Sequence, residues 1–396
     1  MKKRIQQISK ITAWLVAGIL IPGIFYAAPA LSQTPCTEAD AHQKIGSWGK
    51  QTQDFLVNAD PGFPKEQYKP VLAKAQKAIE LLKQANPQPI GIQASAYRDI
   101  TGRSYTTNGA LRFGVKAQYM NYLCMSNTPD DPERGQIVIN SETSTVVRVY
   151  FNSLGSLSSN ENRSLGKELT MVNGEIIYLS PRQTGELKGL SLLFIPDLDS
   201  CCRDEAIVIT PDNRSPFKPV TREQFLQALE NSHRRNIKKF QVKLQQSSTE
   251  DEKTIARMDS NNMLTAQQKA DIKSGIAKRA MQLEKSVPQS IKIEEGEIAN
   301  IESAIVRMSP TERQMQAVIV NQSDSLEKLF VSESEDGSSR LVTVDKSLFT
   351  PVLPRETIQF ITVHWSWEPK DPAKAELIRQ FKQNFDFEAL RQMLGK

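Results

Sequence analysis

Phe360-Ile361-Thr362-Val363-His364-Trp365-Ser366-Trp367 is the stretch on which the fold class turns. It alternates with period two: Ile361, Val363, Trp365 and Trp367 fall on one side, and Phe360, Thr362, His364 and Ser366 on the other, as in a strand. Its position gives it weight, because a long helical region precedes it and further strands precede that region. Strands, then helices, then strands spell α+β rather than an alternating parallel fold. The expectation is a mainly antiparallel sheet with a long helical insertion, a hairpin or short coiled coil, and a C-terminal strand-helix return.

Just upstream, Met315–Val320, Leu329–Ser332 and Leu341–Val344 read as strands, the last two separated by an acidic turn through Asp336-Gly337. Downstream, Asp371-Pro372 opens a helix with proline at its first position, packed through Leu377, Ile378, Phe381 and Phe385. A second short helix starts near Asp386 and stops at Gly395.

The helical region begins after the extended Pro216-Phe217-Lys218-Pro219-Val220, with Thr221 and Gln224 spaced as a capping box. Leu226, Leu229, His233, Ile237, Phe240 and Leu244 then share one stripe. Thr265 and Gln268 repeat the box before Ile272, Ile276, Ala280 and Leu283, and Ile298, Ile301 and Ile305 continue the spacing up to Ser309-Pro310. Two or three amphipathic helices follow, with 247–263 open as helix or connection.

Between 100 and 215 the period is two. Val146, Arg148 and Tyr150 oppose Thr145, Val147, Val149 and Phe151, and Asn173-Gly174 joins two short strands as a hairpin turn. Leu192–Ile195 and Ala206–Ile209 add strands, the second central because it lacks polar alternation. Residues 63–86 read as the first long helix, with Val71, Ala75, Ile79 and Leu82 aligned and Asn86-Pro87 ending it.

Met1-Lys2-Lys3-Arg4, the uncharged run Ile11 to Leu31 and Ala28-Pro29-Ala30 form a leader: basic start, apolar run, small-residue cleavage site. The organisation expected is therefore a signal peptide over 1–30, an α+β region over 31–220, helices over 221–310, and C-terminal strands and helices over 311–396 returning to the same sheet. Retention of the apolar run as an anchor is the other reading. The 396 residues carry 50 Lys and Arg against 45 Asp and Glu. Four of the excess cations, Lys2, Lys3, Arg4 and Lys10, lie in the leader, so the rest is close to neutral. That argues against a basic field for nucleic acid.

Pro219-Val220-Thr221-Arg222 followed by Phe225-Leu226, together with Phe360-Ile361-Thr362-Val363-His364-Trp365, resembles a group of exported bacterial proteins of unknown function. These carry a "PVTR" helix opening and a "FITVHW" strand near the C-terminus. Cys36 and the Gly46-Ser47-Trp48 after it fit the same group. The resemblance implies a shared fold and export, and no activity or catalytic residue.

All four cysteines, Cys36, Cys124, Cys201 and Cys202, follow the leader and allow three pairings. Cys36 with Cys124 is preferred because it ties down a terminus. The adjacent Cys201 and Cys202 have Cα atoms only about 3.8 Å apart, below the usual disulfide span. A bond between them would be strained and reducible, a property a redox or thiophilic-metal site uses; two buried thiols, or one pairing elsewhere, are the alternatives.

Chemistry is thinly signalled. His42, His233 and His364 are far apart, no Cys-x-x-Cys is present, and Asp197-Leu198-Asp199 lacks the glycine and glutamate of a calcium loop. Ser47 and Ser164 each precede a lysine by three residues but lack the partner motifs, and no nucleophile elbow or phosphate loop occurs. No cofactor is expected. His233 reads as a satisfied core histidine. Arg234, Arg235, Lys238 and Lys239 form a basic helix face, either solvated or gripping an anionic partner. Trp365 and Trp367, beside His364, belong to the core unless exposed, when they would make a platform for sugar or peptide rings. The preferred function is a non-catalytic exported protein binding a protein, peptide or glycan, with no membrane span once the leader is removed. An exported hydrolase using carboxylates assembled by the fold is the alternative.

Overall fold

The computed structural model describes residues 35–49, 68–103, 110–125, 135–154, 157, 171–172, 175–195, 202–320, 326–335 and 337–396. Residues 1–30, read from the sequence as a leader, therefore lie outside the described residues, as do Cys201, the Asp197–Asp199 segment and Ser164.

Strands β1 (Ile92–Arg103), β2 (Leu111–Cys124) and β3 (Ile137–Phe151) form an antiparallel meander. A short hairpin follows, β4 (Met171–Val172) with β5 (Glu175–Ile176), whose Val172 faces Glu175 as a two-residue connection requires. Next come β6 (Tyr178–Leu179), β7 (Arg182–Leu187), β8 (Leu190–Ile195), β9 (Arg203–Ile209) and β10 (Phe217–Pro219). After the helices the chain adds β11 (Val318–Val320), β12 (Ser338–Val344) and β13 (Ile361–Trp367).

The large sheet has seven strands in the order β1-β2-β3-β13-β9-β8-β7, antiparallel throughout. Its middle member, β13, comes from near the end of the chain, and every residue in it but Ser366 is buried. Two covered faces and two paired edges leave this strand almost no water contact, hence its aromatic and β-branched composition.

One face of this sheet is covered by α2 (Tyr68–Ala85), α6 (Pro372–Asn384) and α7 (Phe387–Arg391). The α2 stripe of Val71, Ala75, Ile79 and Leu82 is buried, as its spacing predicts. Phe381 of α6 stands edge-on to Trp365 with ring centroids 5.5 Å apart and stacks on Phe385 at 4.8 Å. Each such buried ring contributes about 1.5–3 kcal/mol over an exposed one.

The opposite face meets a smaller sheet in which β12 pairs with β10, β11 and β6. Phe349, Phe360, Val344, Leu154 and Ile195 fill the space between. From this small sheet rise α3 (Arg222–Asp259) and α4 (Ala266–Arg307), followed by α5 (Pro310–Gln314). At 38 and 42 residues they extend about 57 and 63 Å. Both Thr221–Gln224 and Thr265–Gln268 form the reciprocal capping bonds that their spacing predicts. The segment 247–259 is helix, and Ile298, Ile301 and Ile305 belong to α4 rather than to a third helix.

Only the base of this helix pair enters the protein core, through Phe225, Leu226, Leu229 and Ile301. Beyond it the two helices cover mainly each other. Polar contacts across the seam hold their antiparallel register: His233 Nδ1 to Glu294 Oε2 at 2.5 Å, and Arg279 with Asp251 nearer the tip. Met281, Ile293 and Val306 are exposed on α4, and Met263 is exposed in the turn between the helices.

Leu329–Ser332 is not a strand. Leu326–Lys328 turns as a 3-10 helix, and the chain then meets β11 through an isolated bridge between Phe330 and Ile319, with the Val331 N–H donating to the Val318 carbonyl at 3.0 Å. Phe330 instead lies against Phe225 at 6.2 Å, so its apolar surface is satisfied by the base of α3 without a ladder.

Cys36 and Cys124 form a disulfide with a Cα separation of 5.7 Å, fastening the segment before α1 (Glu38–Gln43) to the end of β2.

Candidate functional site

The alternation of β13 sends its tryptophans to the helix-covered face. Trp365 is fully buried and Trp367 is 8% exposed, so the condition for a ligand platform is not met. The helices cover them, with Phe381 of α6 against Trp365, and a buried carboxylate lies beside them. Glu205, opposite Trp365 on β9, accepts the indole N–H at 3.0 Å and pairs with Arg203 at 2.8 Å and with Lys382 of α6. The Lys382 ammonium lies 5.5 Å from the Trp365 ring and 5.1 Å from the Trp367 ring, and the Arg203 guanidinium 5.8 Å from the latter. Two cations thus close the indoles off from solvent and are themselves held by Glu205.

His364 points to the other face. Its register neighbours are Arg148 on β3 and Ala206 on β9. Nε2 lies 2.8 Å from Asp204 Oδ1, and Nδ1 lies 2.9 Å from Arg148 Nη1. A guanidinium only donates, so Nδ1 must accept, and the single ring proton sits on Nε2, donated to Asp204. The ring is therefore neutral, in keeping with burial holding its pKa below the usual histidine value. Both nitrogens are occupied, which removes the lone pair a general base needs.

Arg148 continues this polar row across the sheet to Lys116 and Tyr97, which are paired in register. One row over, Tyr150 faces Gly114, where a Cβ would stand 2.5 Å from the Tyr150 ring. It would also meet the Val149 carbonyl oxygen, so only glycine lets β3 approach this closely. Burial pushes the Tyr150 hydroxyl up to about 12, against the pull of Arg148. Burial also raises the Asp99 carboxyl, with Arg112 and Lys116 opposing it. These groups answer one another. Among the described residues no cluster of three histidine, cysteine or acidic side chains is placed to hold a metal.

A cleft of about 740 Å³ opens between the β7-β8 edge of the large sheet and the small sheet. Leu193, Val208, Phe217 and Val318 give it apolar walls. Three guanidiniums line it from distant parts of the chain: Arg182 on β7, Arg214 in the connection after β9, and Arg340 on β12. Five serines add hydroxyls, among them Ser191 on β8 and Ser339 on β12. Among the described residues one carboxylate lines it, Glu333, and Arg340 already holds that at 2.5 Å. Arg214 meets Asp212 at 3.5 Å with both side chains half-exposed or more, a weak surface pair. Arg182 has no hydrogen-bonded or ionic partner among the described residues.

The remaining residues singled out by sequence stand apart from this cleft. Cys36 and Cys124 serve as the disulfide; Cys202 is half-buried just before β9, while its neighbour Cys201 is outside the described residues. Arg234, Arg235, Lys238 and Lys239 are exposed on α3. Arg234 is engaged by Glu230 at 2.7 Å and Glu302 of α4 at 2.9 Å, and so is partly neutralised. The cleft itself had no signal in the sequence, because its arginines are 32 and 126 positions apart and obey no local period. No family profile, curated protein or solved structure matches this chain.

Proposed function

We propose that this chain is an exported, non-catalytic binding protein that takes a small polar ligand in the cleft between its two sheets. The observation that carries this reading is the cleft's lining: apolar walls with convergent donors from both sheets, and one carboxylate already ion-paired. Sites of this size and mixed character are typical of small-ligand binding. A hydrolase of the two-carboxylate type needs a second acid facing Glu333, and the described lining supplies none. Export rests on the leader sequence, and the Cys36–Cys124 disulfide fits an oxidising compartment. The basic face of α3 leaves a protein, peptide or glycan partner on the helices as an additional role.

A thermal-shift screen of small polar metabolites, run on the wild-type protein and on Ser339→Trp, tests the binding reading. Stabilisation by at least one compound, lost when the indole fills the cleft, is the expected result. Hits that stabilise both proteins equally would remove the cleft from the account. The mass of the mature protein recovered outside the cytoplasm tests export: it should begin after Ala30, and an intact Met1 in the cytoplasm would refute it.

A further inference from the structure

We propose that the ligand is an anion, a small molecule bearing a phosphate, sulfate or carboxylate group, with Arg182 as its principal contact. This names the ligand class of the cleft and rests on the binding reading above. Charge balance comes first: among the described residues three guanidiniums line the cleft against one carboxylate, which is matched to Arg340, while Arg214 has only its weak surface pair with Asp212. Arg182 is then the cation whose donors are uncommitted within the described protein. A guanidinium offers a fixed fork of donors that fits two oxygens of an oxyanion at once, and it stays charged at any working pH. Binding there breaks no existing ion pair, so the contact is not offset by a lost one.

The second part of the argument is position. Arg182 stands on the edge strand of the large sheet, whereas Ser339 and Arg340 belong to the small sheet. Leu193, Val208, Phe217 and Val318 give the cleft apolar walls, and a ligand body seated against them would displace water and lower the local dielectric, which strengthens a charge-assisted bond. A bare ion would leave those apolar walls wet. The chemistry that fits is an oxyanion group carried on a compact organic body, such as an acidic or phosphorylated sugar.

Titration calorimetry on the disulfide-bonded protein tests this, with inorganic phosphate, sulfate, glucuronate, glucose 1-phosphate and neutral glucose as probes. The expected result is saturable one-to-one binding of a sugar-borne anion, with glucose and the inorganic ions at least tenfold weaker. Arg182→Ala should weaken that binding at least about tenfold, the loss typical of one charge-assisted contact, and added salt should weaken it too. Because Arg182 is exposed on an edge strand, the variant should melt with the wild type, which separates lost binding from lost fold. Glucose binding as tightly as glucuronate, with no effect of Arg182→Ala but loss in Ser339→Trp, overturns the anion proposal and leaves the binding reading standing. If no probe binds and Ser339→Trp abolishes no ligand found in the screen, both fall. Heparin binding that survives Arg182→Ala and disappears in Lys238→Ala/Lys239→Ala would move anion recognition to the helices and overturn the proposal.

Discussion

Replacing His364 by glutamine isolates one buried proton equilibrium. His364 is 1% exposed, and its ring donates to Asp204 from Nε2 while accepting from Arg148 at Nδ1. Burial lowers its folded pKa beneath the ordinary value of 6.5; the Asp204 bond opposes the shift and the Arg148 charge adds to it. In the unfolded chain the imidazole takes up a proton as pH falls through that ordinary value, whereas in the folded protein it does not until lower pH. The unfolded state therefore binds more protons in that window, and stability decreases as pH falls. The contribution is complete above about pH 6.5 and is lost at up to about 1.4 kcal/mol per pH unit below it, until the folded pKa is reached. Glutamine carries one donor and one acceptor and does not titrate, so His364→Gln keeps the polarity and deletes the equilibrium. His42 and His233 are the same in both proteins and cancel in the comparison. Urea unfolding at pH 7.5, 6.0 and 5.0 reads the difference. The wild type should lose more stability than the variant on acidification, the gap opening below pH 6.5. Parallel pH profiles, or a nitrogen NMR signature of a doubly protonated His364 at pH 6, would refute the neutral-ring assignment.

Reduction of the Cys36–Cys124 bond, which closes a separation of 88 residues, should cost about 4.6 kcal/mol in the chain-entropy account. For one cooperative transition of this size that is a fall in melting temperature of about 6 °C, read by calorimetry on Cys36→Ser/Cys124→Ser; an unchanged melting point would refute it. Glu205→Ala strands Lys382 and the Trp365 N–H beside each other and should destabilise by about 3–5 kcal/mol in denaturant titrations. Recovery of most of that loss by Lys382→Met in the same background would identify the uncompensated charge as the cause; no recovery would assign the loss to packing.

Local signals in the chain foretold local structure. The α2 stripe, the two threonine caps and the hairpin across 172–175 are decided by side chains within a few positions of one another, and so could be read directly. The placement of β13 between β3 and β9 could not. Val363 faces Val149 and Ile207, more than 150 positions away, and an apolar alternating strand carries no mark of which partners it takes. Leu329–Ser332 misled for the same reason: its apolar residues needed burial, and the base of α3 offered that without a ladder. The Cys36–Cys124 pairing is the one preferred from the sequence, on the expectation that a cysteine following a leader has much to gain from a tether. The cleft was invisible, since Arg182, Arg214 and Arg340 meet only after two sheets have assembled.

Both ends of the helix pair are rooted in that cleft. Phe217, on the strand leading into α3, and Val318, on the strand that follows α5, each form part of its lining. The seam contacts at His233–Glu294 and Asp251–Arg279 tie the two helices into one rod. With a rod about 57 Å long, a tilt of about 5° between the two sheets displaces the Ser260–Thr265 tip by about 5 Å. Any such tilt would be geared as by a lever, its short end at the cleft and its long end far out along the helices, so that an adjustment of a few tenths of an ångström at the base would become a displacement of several ångströms at the tip.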